Sequence, residues 1–287
     1  MIRDRDEAYL RWLALAEEAA KRGDYEEAAR FYRYVAVHFG LLNDSENLKK
    51  FTLKAGECCF NAAETLLNNN KHIEALLFLI KASNYFREGS DEHRAEKCDM
   101  IIERSYDSLS KNEMTDLCGD PQDLKRIGDY FANRDLEKAI ECYEAAAEKA
   151  FKIGKLHLSG GIYGILGDCY KALKRYRDAA ERHARSAEMY YERHKFFEAA
   201  WHYCISGFCF ILAGDTEAAL ATALKAESIC REDNINIILN DLAYICRLLS
   251  EGHIYKAERR WSRIRRKFKR SYAEIIDSSF DTMRLDR

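Results

Sequence analysis

The stretch Tyr163–Tyr191, YGILGDCYKALKRYRDAAERHARSAEMYY, reads as two helices joined by a short polar turn at Lys174-Arg175. At helical spacing, Tyr163, Leu166, Gly167 and Tyr170 share one face of the first helix, and Ala179, His183, Ser186 and Tyr190 share one face of the second. Gly167 stands twelve residues before Ala179. Both are small where two antiparallel helices would cross, and a larger side chain at either position would push the backbones apart.

That order of aromatic, small and small residues is the spacing of a tetratricopeptide-type helical hairpin, and it recurs along the chain. With the small residue of the second helix as anchor, the repeats fall at Ala28, Ala75, Ala139, Ala179, Ala219 and Ala257, at separations of 47, 64, 40, 40 and 38 residues. Twelve residues before each anchor stand Ala16, Ala63, Ile127, Gly167, Gly207 and Ile245, so four of the six crossings keep a small residue. The period near forty predicts helices longer than those of the 34-residue tetratricopeptide unit. The expected fold is all-α: a right-handed superhelix of tetratricopeptide-like antiparallel hairpins, about 14 helices in all, with a C-terminal helical bundle. The expected divisions are 1–111, N-terminal hairpins; 112–233, regular repeats; and 234–287, a bundle with a basic helix, all in one continuous array.

Composition agrees with this pattern. The 287 residues include a single Pro and fourteen Gly, which favours long uninterrupted helices. Hydrophobic residues make up 47%, enough for a continuous core, so disorder is not the reading. No segment approaches the ~20 uncharged apolar residues that span a bilayer, and the first helix is amphipathic and charged rather than a signal peptide. The expectation is a cytoplasmic protein. The ten Cys show no C-x-x-C pair and no zinc-finger His spacing, so they read as small core hydrophobes of a reducing compartment, and no metal or cofactor is expected. Residues 1–150 carry 22 Lys and Arg against 30 Asp and Glu, while residues 151–287 carry 24 against 18, so the second half is the one that attracts anionic partners.

Helix boundaries follow from caps and breakers. Ser45 is the expected cap of the third helix, and Ser90 or Asp91 starts the fifth. The run Lys111–Asp123, with the only Pro, breaks the register as a bend anchored by Met114 and Leu117. Gly160, Gly161, Gly164 and Gly167 lack the preceding strand and the order of a phosphate loop, so close helix packing explains them. Near the end, one helix is expected over 253–270 and another over 272–284.

Catalytic constellations are absent: there is no H-E-x-x-H, G-x-S-x-G or Walker sequence. His202 and Cys204 cannot pair as base and nucleophile, because residues two apart on a helix do not face each other, and His202 reads as a surface or interhelix residue. The sharpest signal outside the core is the run Lys256–Arg270, with nine basic residues against Glu258 alone. Ile254, Ala257, Trp261, Ile264 and Phe268 form its buried stripe, and Arg259, Arg263, Arg266 and Arg270 recur at 4, 3 and 4 as a common exposed face. An anionic surface or an acidic helix bundle satisfies this charge; nucleic acid ranks last, because no aromatic platform interleaves the arginines.

Over nearly its whole length the chain resembles the soluble NSF attachment proteins, the SNAP family. The resemblance lies in the long-hairpin period, the stretch RDLEKAIECYEAAAEKAFKIG, the block EAAWHYCISGFCFILAGDTEAALATALKAES and the ending LNDLAYICRLLSEGHIYKAERRWSRIRRKF followed by one more helix. It implies a twisted sheet of antiparallel helices with a C-terminal bundle, which binds a SNARE four-helix bundle through a basic concave surface and recruits a hexameric AAA ATPase. The expected function is therefore a non-enzymatic adaptor for an elongated protein partner. Lys171, Lys174, Arg175, Arg182 and Arg185 are the expected contacts, because they gather positive charge on one hairpin of the basic half. The alternative is a regulatory tetratricopeptide module that holds a short peptide or small molecule in a groove lined by Tyr163, Tyr170, Tyr203 and Phe210.

Overall fold

The computed structural model describes residues 2–110, 113, 114, 116, 118–232 and 237–285. Among these residues the structure is all-α, with fourteen α-helices, one short 3-10 helix and no strand. The chain divides into two compact units, 1–134 and 135–287.

The first unit contains α1 (Ile2–Arg22), α2 (Tyr25–Leu41), α3 (Ser45–Asn68), α4 (His72–Glu88), α5 (Glu92–Asp107) and α6 (Pro121–Phe131). Helices α1 to α5 pack each on the next, and α6 packs on α4. The first four turns are short because a residue with left-handed backbone follows each of α1 to α4: Gly23 at φ 78°, Asn43 at 58°, Asn70 at 57° and Ser90 at 63°. Asp24, Asp44 and Asp91 then cap the next helix by accepting its free backbone N–H groups. The expected Ser45 cap is displaced by one residue, since Asp44 accepts from the Asn47 N–H and Ser45 is already helical. Ala16 and Ala28 are fully buried where α1 crosses α2, and Tyr32, Phe39 and Phe51 stack beside them. Of the anchors expected in the bend, Met114 is buried, and Leu117 lies outside the described residues.

A polar knot closes the far end of this unit. Asp99 on α5 accepts from Ser83 Oγ at 2.7 Å and from Tyr130 Oη at 2.8 Å, and it pairs with Arg87. Burial alone would raise the Asp99 carboxyl, but these three donors overcome that and hold it below its ordinary value.

The second unit contains α7 (Leu136–Lys152), α8 (Leu156–Ala172), α9 (Tyr176–Glu192), α10 (Phe196–Leu212), α11 (Thr216–Glu232), α12 (Ile237–Ser250), α13 (Ile254–Ile264) and α14 (Arg270–Leu285). Its regularity is strict: α7 to α11 are 17 residues each, and left-handed residues stand at 154, 174, 194 and 214. Each of these turns closes with the same bond, from the N–H of Lys155, Arg175, Lys195 and Asp215 to the carbonyl six residues before the next helix begins, namely Ala150, Tyr170, Tyr190 and Phe210. The expected close crossings are formed. A Cβ on Gly167 would lie 2.6 Å from the His183 ring, and one on Gly207 would lie 2.5 Å from Cys246 Sγ.

Helix α10 is the hub of this unit, because α9, α11, α12 and α14 all pack on it. The C-terminal helix returns to cover it: Ser279 Oγ donates to the Phe208 carbonyl at 3.3 Å, and Trp201 meets Tyr272 edge-on at 4.8 Å. This explains why α10 is apolar nearly all round, with residues 203–211 continuously buried.

Candidate functional site

The five cations expected to contact a partner lie on α8, α9 and their turn, but most are already neutralised. Lys171 Nζ lies 2.5 Å from Asp168, Arg175 lies 2.8 Å from Asp178, Arg182 lies 3.0 Å from Glu144 and Arg185 lies 2.9 Å from Glu188. The arginines also cover rings, Arg175 over Tyr170 at 4.7 Å and Arg185 over Phe151 at 4.9 Å. Hydrogen bonds to Asp178 and Glu188 raise the basicity of Arg175 and Arg185 further. Only Lys174 stands exposed in its turn with no carboxylate partner among the described residues.

The C-terminal run is different. The helix expected over 253–270 ends at Ile264; residues 265–267 form a 3-10 turn, Phe268 is extended at φ −103°, ψ 145°, and α14 begins at Arg270. Arg259 and Arg263 are therefore on α13, Arg266 is in the 3-10 turn and Arg270 opens α14, so the four do not share one helical face. The break is held by rings, with Phe268 packed at 5.4 Å from Trp261 and at 6.3 Å from Trp201, while Trp261 Nε1 donates to Asp277 at 2.7 Å. Three of the nine cations are paired: Arg260 with Asp241 at 2.5 Å, Arg265 with Asp277 at 2.6 Å and Arg270 with Glu274 at 2.8 Å. Lys256, Arg259, Arg263, Arg266, Lys267 and Lys269 are exposed and have no carboxylate partner among the described residues. Glu258, the one acid of the run, is engaged by Arg284.

The groove aromatics of the alternative reading are core residues. Tyr163, Tyr170, Tyr203 and Phe210 are all at most 9% exposed, so these four rings are packed in the core rather than displayed to a ligand. Tyr203 borders a hollow of about 300 Å³ beside Tyr191 and Lys225.

All ten cysteines are buried and unbridged. Burial pushes the Cys169 and Cys230 thiols up to about 11 and the Cys209 thiol up to about 12, so thiolate chemistry is suppressed at neutral pH. Among the described residues no three His, Cys, Asp or Glu side chains gather as a metal-binding group. His202 does not approach Cys204 as a base; its Nδ1 lies 3.2 Å from His183 Nδ1, and its ring stacks on Tyr190 at 5.5 Å. The pair sits against Gly164 and Gly167, whose missing side chains make room for the two rings. Burial, then His202 and Lys171, push His183 well below 6.5, and burial takes His202 down to about 4 against the smaller pull of Asp168 and Glu198. Both imidazoles are neutral at pH 7, one donating and one accepting.

No protein-family model matches the chain, and no curated protein matches it significantly. Solved structures do resemble it. The signal-transduction ATPase with numerous domains and a tetratricopeptide repeat sensor from Pyrococcus horikoshii aligns over 97% of this chain with a TM-score of 0.52 and 16% identity. The alignment covers 44% of that protein, so this chain spans less than half its length. Aspartyl phosphate phosphatase F from Bacillus subtilis aligns over 98% of this chain and 72% of its own with a TM-score of 0.42 and 13% identity. The first likeness shows the fold, a tetratricopeptide-like helical repeat.

Proposed function

We propose that the chain is a non-enzymatic, SNAP-like adaptor that docks an acidic protein surface through residues 256–269. The observation that carries this reading is the set of six exposed cations, Lys256, Arg259, Arg263, Arg266, Lys267 and Lys269, left without carboxylates on a base fixed by Trp261 and Phe268. Unpaired positive charge on a rigid edge costs folding stability through self-repulsion, and an acidic partner relieves that repulsion and accelerates encounter. By the same criterion Lys171, Arg175, Arg182 and Arg185 are poorer contacts, since a partner would first have to displace Asp168, Asp178, Glu144 and Glu188. Within this reading the partner is an elongated helical bundle, the compartment is the cytoplasm, and the C-terminal bundle, residues 234–287, is the place where an AAA ATPase would be recruited, as the family resemblance implies.

The test is quantitative affinity capture from native lysate with the parent, with Arg259→Glu/Arg263→Glu and with Lys174→Glu. The reading expects a set of proteins lost by the double variant, retained by Lys174→Glu and released by moderate salt. An identical capture by the parent and the double variant, with helicity unchanged, overturns it.

A further inference from the structure

The serines and threonines of the chain differ in the charge that precedes them. Only Thr52 and Ser262 carry Lys or Arg at both the second and the third position before them, Lys49-Lys50 for the one and Arg259-Arg260 for the other. Thr52 is fully buried, and its hydroxyl accepts from Arg33 at 3.4 Å, so no reagent reaches it. Ser262 is exposed, and its Oγ donates only within its own helix, to the Arg259 carbonyl at 3.1 Å.

Ser262 also stands in the middle of the C-terminal cations. Arg259 precedes it by one turn of α13, Arg263 follows it directly and Arg266 lies in the 3-10 turn beyond, all three exposed and without a carboxylate partner among the described residues. The acids that this region meets are already engaged: Glu258 by Arg284, Asp241 by Arg260, and Asp277 by Arg265 and Trp261. A hydroxyl in such surroundings is a place where one added anion changes the whole surface. A phosphoryl group carries about −1.5 to −2 at pH 7 and three strong acceptor oxygens, so on Ser262 it cancels roughly two of the six unpaired cations and draws Arg259 and Arg263 onto itself. The dipole of α13 disfavours an anion near its C-terminal end, and these arginines offset that cost.

We infer that Ser262 is a phosphorylation site for a protein kinase that selects arginine at the second and third positions before its acceptor, and that the phosphate switches off docking of an acidic partner. The switch rests on the docking role proposed above for residues 256–269. Selection of this kind is electrostatic, an acidic substrate groove reading Arg259 and Arg260. In the transfer, Ser262 Oγ bonds to the γ-phosphorus of ATP as the bond from that phosphorus to the β–γ bridging oxygen breaks. ADP leaves with the bonding pair, and the hydroxyl proton passes to a carboxylate of the kinase. A kinase groove takes an extended segment, so the last turn of α13 must open to enter it. The helix ends two residues beyond Ser262, at Ile264, and Phe268 is already extended, so the opening is confined to that turn and to the contact of Trp261 with Phe268.

Incubation of the intact chain with the catalytic subunit of cyclic-AMP-dependent protein kinase, ATP and magnesium, followed by mass-spectrometric assignment of the phosphate, tests the site. The inference expects phosphate on Ser262 and at least about tenfold less incorporation into Ser262→Ala. Ser271, which follows Lys269 and Arg270, is the competing acceptor; phosphate on Ser271 or elsewhere, with Ser262 unmodified, overturns the inference. The switch is read by fluorescence anisotropy with labelled poly-glutamate. The chain phosphorylated on Ser262 should bind it at least about tenfold more weakly than the parent, and Ser262→Ala should bind as the parent does, before and after kinase treatment. If Arg259→Glu/Arg263→Glu weakens this binding and phosphorylation on Ser262 does not, the switch is overturned while the docking surface stands. If neither changes it, the docking surface is overturned and the switch with it.

Discussion

Acid should loosen the second unit before it titrates any carboxylate, and the His183–His202 pair sets the size of the effect. In the unfolded chain both imidazoles titrate near 6.5, whereas in the folded chain burial holds His202 at about 4 and His183 well below 6.5. Above pH 6.5 neither state carries the charge, and the pair contributes no pH dependence. As pH falls, the unfolded state takes up protons that the folded state refuses, so stability declines until the folded value is reached. For His202 alone the loss works out to about 1 kcal/mol at pH 6, about 2 at pH 5 and about 3 at pH 4. His183 adds to it. Depressed carboxyls such as Asp99 and Asp277 act in the same sense but at lower pH, contributing stability that is lost only as pH falls below their unfolded value near 3.8, so the window from 6.5 to 4 belongs to the histidines. Urea unfolding of a Trp12→Phe variant isolates the second unit, since the remaining tryptophans are Trp201 and Trp261. A double variant, His183→Leu/His202→Phe, should flatten the slope. Stability constant to within about 0.5 kcal/mol between pH 7 and pH 5, or an undiminished slope in the double variant, would refute a neutral buried pair.

Other expectations follow from contacts that vary along the same helices. Gly167→Ala drives a Cβ into the His183 ring and should destabilise by about 1–3 kcal/mol, whereas Gly161→Ala, whose nearest neighbour is Tyr190 Oη at 3.4 Å, should stabilise by about 0.5–1 kcal/mol; paired urea titrations decide both. Asp99→Ala removes the acceptor shared by Ser83, Arg87 and Tyr130 and should cost the first unit about 2–3 kcal/mol, read as a lowered midpoint with Trp12 as reporter. His194→Gly relieves a left-handed backbone, at φ 55°, in an exposed turn and should raise the melting temperature of the second unit, with a gain of about 1 kcal/mol.

Much of the fold was legible because small residues and turns recur at fixed spacing. Gly167 and Gly207 lie at close crossings, as their distance from Ala179 and Ala219 predicts, and the last helix, expected over 272–284, spans Arg270–Leu285. The break at Ile264 was not legible. No Gly or Pro marks it, and it depends on Phe268 packing against Trp201, a residue more than sixty positions earlier. The pairing of the cations was legible only in part: Asp168, Asp178 and Glu188 stand three residues from Lys171, Arg175 and Arg185, whereas Arg182 meets Glu144 across 38 residues. His183 was placed correctly on an inward face, but its partner His202 comes from another repeat.

The claim that the C-terminal cations are the docking surface is met most directly by hydrogen exchange of the intact chain, alone and saturated with a captured partner. The account predicts slowed amide exchange concentrated in residues 254–269, weakened at raised salt, with little change at the α8–α9 turn around Lys174. Protection confined to other helices, with 254–269 exchanging as in the free chain, would contradict it.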